Sequence, residues 1–188
     1  MGQRRQAAAA EPLRLHIGGR TRVPGWHVLD VLPGEHVDFV GTCTDLGQFG
    51  DHTVMEIYAS HVLEHLSYQR ELKRALDEFR RVLVPRGFIR LSVPDLTTLC
   101  ELFVDPRMSS QDRFEIMRMM FGGQLDSADF HRAGLTEEFL TAYLQAAGFV
   151  EIRRVADLQG LDDYSRLLFK GRPVSVNMVA HTPPEQNA

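Results

Sequence analysis

The chain has 188 residues, 44% of them hydrophobic and 24% charged, which is room for one ordinary globular domain with short tails. Its 21 basic and 25 acidic residues leave a net charge of -4, which speaks against a general nucleic-acid or membrane-surface binder. Two cysteines far apart, Cys43 and Cys100, point to a reducing, cytoplasmic compartment rather than a disulfide framework.

No stretch approaches the ~20 apolar residues of a membrane helix. The opening Met1-Gly2-Gln3-Arg4-Arg5-Gln6 lacks the apolar run of a signal peptide and the Ser or Thr wanted for myristoylation. Residues 1–12 are expected to be a mobile tail, 13–181 the folded domain and 182–188 a second tail.

Leu13 to Ile17 alternates in polarity and meets Gly18-Gly19, which predicts a strand ending in a turn. Short strands follow over 27–31 and 37–40, then a more apolar one over 54–60. Leu72, Leu76, Phe79 and Leu83 fall on one helical stripe that stops at Pro85-Arg86-Gly87. A fifth strand is expected over 88–93. From about residue 96 to 132 the pattern is helical, broken at Pro106 and at Gly122-Gly123. Thr136 reads as an N-cap, with Glu137 and Glu138 in the first turn and Gly148 as the stop. A sixth strand over 149–155 and a hairpin pairing 167–170 with 174–180 complete the chain. Strands alternating with helices imply an α/β, three-layer Rossmann-like sheet, mostly parallel, with the C-terminal hairpin as an antiparallel edge.

In such sheets ligands bind beyond the carboxyl ends of the strands. Gly18 and Gly19 leave backbone open to close approach, and Asp30 ends the next strand, where a carboxylate can accept both hydroxyls of a ribose. Asp45 could accept from an adenine amine while Leu46 packs on the ring. A dinucleotide fits poorly: the Rossmann fingerprint needs three glycines leading into a helix and an acid ~20 residues on, whereas Asp30 follows Gly18 by 12. S-adenosylmethionine has no phosphate to hold and suits these residues better.

Several segments carry a family resemblance. They are Leu15-His16-Ile17-Gly18-Gly19, Cys43-Thr44-Asp45-Leu46, Ile57 through His65, Glu78 through Gly87 and Arg90-Leu91-Ser92-Val93-Pro94-Asp95, with the later Ala147-Gly148-Phe149. Together they resemble the small class I S-adenosylmethionine-dependent methyltransferases, in a short bacterial branch. The resemblance implies that Gly18 and Gly19 line the methionine and ribose portion of the cofactor, Asp30 the ribose, and Asp45 and Leu46 the adenine. Ser60 and His61 would face the methyl group and the substrate, with S-adenosylhomocysteine as product. Two features depart from the family: its third glycine is Arg20 here, and the helix after the first strand is shortened to a loop.

His61-Val62-Leu63-Glu64-His65 also spells H-x-x-E-H, an inverted zinc-peptidase pattern. A metal needs a third protein ligand, and no paired spacing supplies one, so no metal is expected and the segment reads as a helix opening. Histidine at a strand tip suits proton transfer near neutral pH, which makes His61 the first catalytic candidate and His131, in Asp129-Phe130-His131-Arg132, the second. The expected reaction is methyl transfer to an oxygen or nitrogen of a small molecule, without nucleic-acid or membrane partners; a homodimer stays open. Three alternatives remain: cyclisation or transfer of another group from the same cofactor, a non-catalytic methyltransferase-like binding protein, and a nicotinamide or nucleotide-sugar enzyme.

Overall fold

The structure, a computed structural model, describes residues 11–125, 129–161 and 163–185. The expected tail at 1–12 therefore lies largely outside the described residues, while that at 182–188 is described over 182–185. Thr182 is buried, however, and its hydroxyl donates to the carbonyls of Val84 and Gly87, so the folded body runs past residue 181. No described helix is long and apolar enough to cross a membrane.

A seven-stranded sheet forms the frame. Its strands are β1 (Leu13–Ile17), β2 (His27–Asp30), β3 (Phe39–Val40), β4 (Val54–Ser60), β5 (Leu83–Pro94), β6 (Val150–Val155) and β9 (Ser175–His181), in the order β3-β2-β1-β4-β5-β9-β6. Within this sheet the pairs β5–β9 and β9–β6 are antiparallel and the other described pairs are parallel. It is inserted between β5 and β6, so the long C-terminal strand is second from the edge instead of forming an edge hairpin. The predicted hairpin survives as a separate two-stranded ribbon, β7 (Leu168–Phe169) with β8 (Arg172–Pro173).

Among the described residues four α-helices accompany the sheet: α1 (Glu71–Val82), α2 (Leu96–Val104), α3 (Ser110–Phe121) and α4 (Glu137–Ala146). The predicted stripe on α1 is buried at Leu72, Leu76 and Phe79, while Leu83 is already the first residue of β5. Pro85-Arg86-Gly87 is a bulge within that strand, marked by a register shift against β4 and by φ 62° at Arg86. Helix α4 starts as expected at Thr136, whose hydroxyl accepts from the Phe139 N–H.

The two faces of the sheet are covered differently. Leu15, Ile17, Ile57, Ala59, Ile89, Leu91, Val176 and Met178 point to one face, where α1 and α4 seal a continuous apolar core. The opposite face carries His16, Glu56, Tyr58, Arg90 and Asn177, and its apolar cover is Val23, Trp26, Leu158 and Leu161, all in loops. The links 18–26, 31–38 and 41–53 contain no helix. Their prolines and glycines, Pro24-Gly25, Pro33-Gly34, Gly41, Gly47 and Gly50, do not favour one. The outer layer on this side is thus built from loops. Helices α2 and α3 pack on each other and on Val174, beyond the carboxyl end of β5.

Candidate functional site

Strand register decides which sequence candidates meet. Ile17 pairs with Leu29 on β2 and with Ala59 on β4, so Gly18, Asp30 and Ser60 follow on three adjacent parallel strands. The Gly18 N–H donates to Leu29 O at 2.9 Å, which fixes this alignment. Gly18 has φ 70°, and a Cβ there would stand 2.9 Å from Val62 Cγ2. Only glycine tolerates both conditions. Gly19 is packed over the His16 ring, where a Cβ would lie 2.5 Å from Nδ1. Arg20, in place of the third glycine, is exposed.

Asp30 uses Oδ1 to accept from the Leu32 N–H at 2.8 Å and has no partner on Oδ2 among the described residues. An acid with one oxygen free beside a side-chain-free tip matches what a ribose diol needs. The residues at β1, β2 and β4 therefore fit the sugar of an adenosyl group. The adenine assignment fares differently. Leu46 is fully buried in the core and its N–H donates to Glu78 on α1, so it cannot pack on a ligand ring. Asp45 accepts from Gly47 N–H and lies 3.7 Å from Arg74 of α1. The first side chains past β3 are instead Thr42 and Cys43. Cys43 is buried, which pushes its thiol up to about 12 and keeps it unreactive.

His61 sits at the tip of β4 with φ 55°, a left-handed conformation that a non-glycine residue rarely takes, held by its N–H on Ser92 O. Its Nδ1 lies 3.2 Å from Glu64 Oε1, and its Nε2 lies 3.3 Å from Ser175 Oγ. The segment after it makes a single 3-10 turn, Leu63–His65, where a longer helix was expected.

His131 arrives from 66 residues further on than His65. Gly122, with φ 86°, lets the chain reverse after α3: a Cβ there would meet Asp129 O at 2.4 Å. His131 N–H then donates to Phe121 O, and the next two N–H groups, of Arg132 and Ala133, both donate to Glu64 O. This clamp sets the His131 ring edge-on to His65, with centroids 4.8 Å apart. Burial, above all, holds the His131 imidazole below its ordinary range, while the Glu64 carboxylate pulls the other way.

Both catalytic candidates line one cavity of about 380 Å³, whose wall includes Glu115, Arg118, Met119, Tyr164 and Val174. A larger depression of about 830 Å³ lies between α2 and α4 and shares no residue with Gly18, Asp30, Ser60 or His61. The structure thus joins Gly18, Gly19, Asp30, Ser60 and His61 at neighbouring tips and adds His131 across the cavity. It buries the Leu46 side chain in the core and leaves Asp45 exposed past β3. Glu64, buried beside these histidines, comes from the H-x-x-E-H segment and is not among the expected site residues.

Residues 27–91 match the family model described as a methyltransferase domain. No curated protein sequence matches the chain. Among solved structures, a S-adenosylmethionine-dependent methyltransferase from Archaeoglobus fulgidus is similar at TM-score 0.59 and 15% identity, over 92% of this chain and 87% of that one. A possible exported protein from Bordetella parapertussis gives TM-score 0.57 at 12% identity over 92% of this chain, which spans 63% of that protein's length. The Burkholderia thailandensis 1,6-didemethyltoxoflavin-N1-methyltransferase, solved with 1,6-didemethyltoxoflavin and S-adenosylhomocysteine, gives TM-score 0.53 at 18% identity over 92% of this chain and 72% of that one.

Proposed function

We infer that this chain is a class I S-adenosylmethionine-dependent methyltransferase that transfers a methyl group to an oxygen or nitrogen of a small molecule seated beside His61, a reading supported by the methyltransferase-domain match over residues 27–91 and by the fold. The observation that carries this reading is the joining of two features at one set of strand tips. Gly18, Asp30 and Ser60 stand side by side, and the His61–Glu64 pair at the end of the same strand opens onto the cavity.

S-adenosylmethionine, when bound, supplies a methyl group made electrophilic by its positive sulfur. Gly18 and Gly19 would lie against its methionine and ribose portion, and Asp30 would accept from the ribose hydroxyls. The Glu64 carboxylate, 3.2 Å from Nδ1 but outside hydrogen-bond geometry, would favour by its charge the tautomer with the proton there, leaving the lone pair on His61 Nε2 to take up an acceptor's proton. The same pairing orients the ring without any movement at the moment of reaction. A cavity of about 380 Å³ lies at the small end of ligand pockets and suits a metabolite-sized acceptor. Two free thiols fit a reducing, cytoplasmic setting.

The test is incubation with S-adenosylmethionine and panels of hydroxyl and amine acceptors, followed by mass spectrometry. Acceptor-dependent S-adenosylhomocysteine and a product heavier by one methylene are expected. Product formed from the cofactor alone would point to cyclisation. His61→Ala should lower turnover by ~10²-fold or more while leaving cofactor affinity within about twofold. Equal loss in both would make His61 a binding residue.

A further inference from the structure

The surroundings of Glu64 are unusual for a carboxylate. Its residue is 1% exposed, and neither side-chain oxygen receives a hydrogen bond, although His61 Nδ1 stands 3.2 Å from Oε1. A buried charge left bare in this way is costly unless an opposite charge meets it. His61 can serve only one of the two oxygens. The other remains without a donor.

Around that carboxylate, His65 and His131 each bring a ring nitrogen, and one ligand atom from each of the three residues lies within 4.8 Å of the others. The donors around a tetrahedral ion with bonds of ~2.0–2.1 Å stand ~3.4 Å apart, so closure by an ångström or so would complete the shell. His65 is already oriented through a backbone partner: its Nδ1 lies 3.2 Å from Phe130 O, and the His131 ring stands edge-on to it with centroids 4.8 Å apart. A second ring nitrogen tied to a carbonyl is how ligating histidines are usually fixed in tautomer and direction.

We infer that Glu64, His65 and His131 form a binding site for one divalent transition cation of the zinc or manganese kind. Two imidazoles and one carboxylate are the donor set such ions take, and three protein ligands leave a coordination position open. The H-x-x-E-H segment supplies two of the ligands, and the reversal at Gly122 delivers the third. Because His131 also lines the cavity, the open position borders the acceptor's place, which selects acceptors with a hydroxyl or other oxygen donor. This last step rests on the methyl-transfer reading; the cation site does not.

Chelator-treated full-length protein, titrated with Zn²⁺ and with Mn²⁺ by calorimetry, should take up one equivalent of at least one ion. Glu64→Gln, His65→Ala and His131→Ala should each weaken that uptake by at least about tenfold, with unchanged circular dichroism. The control His36→Ala, elsewhere in the chain, should bind as the parent does. If Glu64→Gln fails to fold, the partly buried His131→Ala still decides. Absence of uptake, or uptake unchanged by the substitutions, overturns the site. Titration with S-adenosylhomocysteine in parallel separates the two readings. Homocysteine-adduct binding without cation uptake removes the cation site alone, whereas cation uptake without it removes the methyl-transfer reading and keeps the site.

Discussion

The two faces of the sheet are held by different physics. On the helical face, α1 and α4 lay leucines and a phenylalanine onto buried strand residues, and stability comes from apolar area removed from water. On the loop face, a polar lattice does the fastening. Arg90 pairs with Glu56, donates to the carbonyls of Leu158 and Gln159, and lies over the rings of Tyr58 and Trp26. Tyr58 donates to Asp163 at 2.5 Å. Loops joined to a sheet in this way can be re-aimed with small changes in side-chain bonding, whereas a helix seated on an apolar core moves as a block. The cavity lies where Tyr164, from the loop side, meets α3.

That contrast can be broken one face at a time. Phe79→Ala empties a fully buried aromatic site under α1 and should cost about 3–5 kcal/mol, read as a lower urea midpoint. Arg90→Ala strips the 3%-exposed Glu56 side chain of its main partner and should cost about 3 kcal/mol, with protease cutting first within 156–161. The same cut in both variants would erase the distinction between faces. Tyr58→Phe removes one bond and should cost about 1–2 kcal/mol.

Acid should reach the loop face first. Burial favours neutral Asp163, but hydrogen bonds from Ser165 and Tyr58 outweigh it and hold its carboxyl below the ordinary range. A depressed carboxylate stabilises fully above its unfolded pKa of about 4 and loses that contribution as pH falls through the folded value. Amide exchange at 158–161 should therefore rise on acidification before that of α1, and Asp163→Asn should flatten the difference. The smallest effect belongs to the solvated side of α1. Lys73→Ala breaks an exposed pair with Asp77 and should cost only about 0.3 kcal/mol, less in high salt.

Much of the frame was legible because periodicity reports burial. The stripe on α1, the cap at Thr136 and the breaks at Pro106 and Gly122 all register in local sequence. The insertion of β9 between β5 and β6 does not, since strand order depends on pairings between residues ~90 apart, such as Phe88 with His181. The site divided along the same line. That Gly18, Asp30 and Ser60 share neighbouring strand tips was readable because each lies at or just past a strand end, and parallel register brings strand ends together. Leu46 misled because its side chain is buried in the core and its N–H is taken by Glu78 of α1, a pairing 32 residues apart that local sequence does not record. Glu64 and His65 were visible as a motif lacking a third ligand. His131 joins them only through its backbone reversal, which no spacing rule records.

The central claim is that an adenosyl group lies across the tips of β1, β2 and β4, with its ribose on Asp30. Calorimetry with S-adenosylhomocysteine on the parent and on Asp30→Ala tests it most directly. One equivalent bound, weakened ~5- to 150-fold by the substitution, is the predicted result, the equivalent of about 1–3 kcal/mol for a lost charged acceptor. No heat at millimolar ligand, or an affinity indifferent to Asp30, would contradict it.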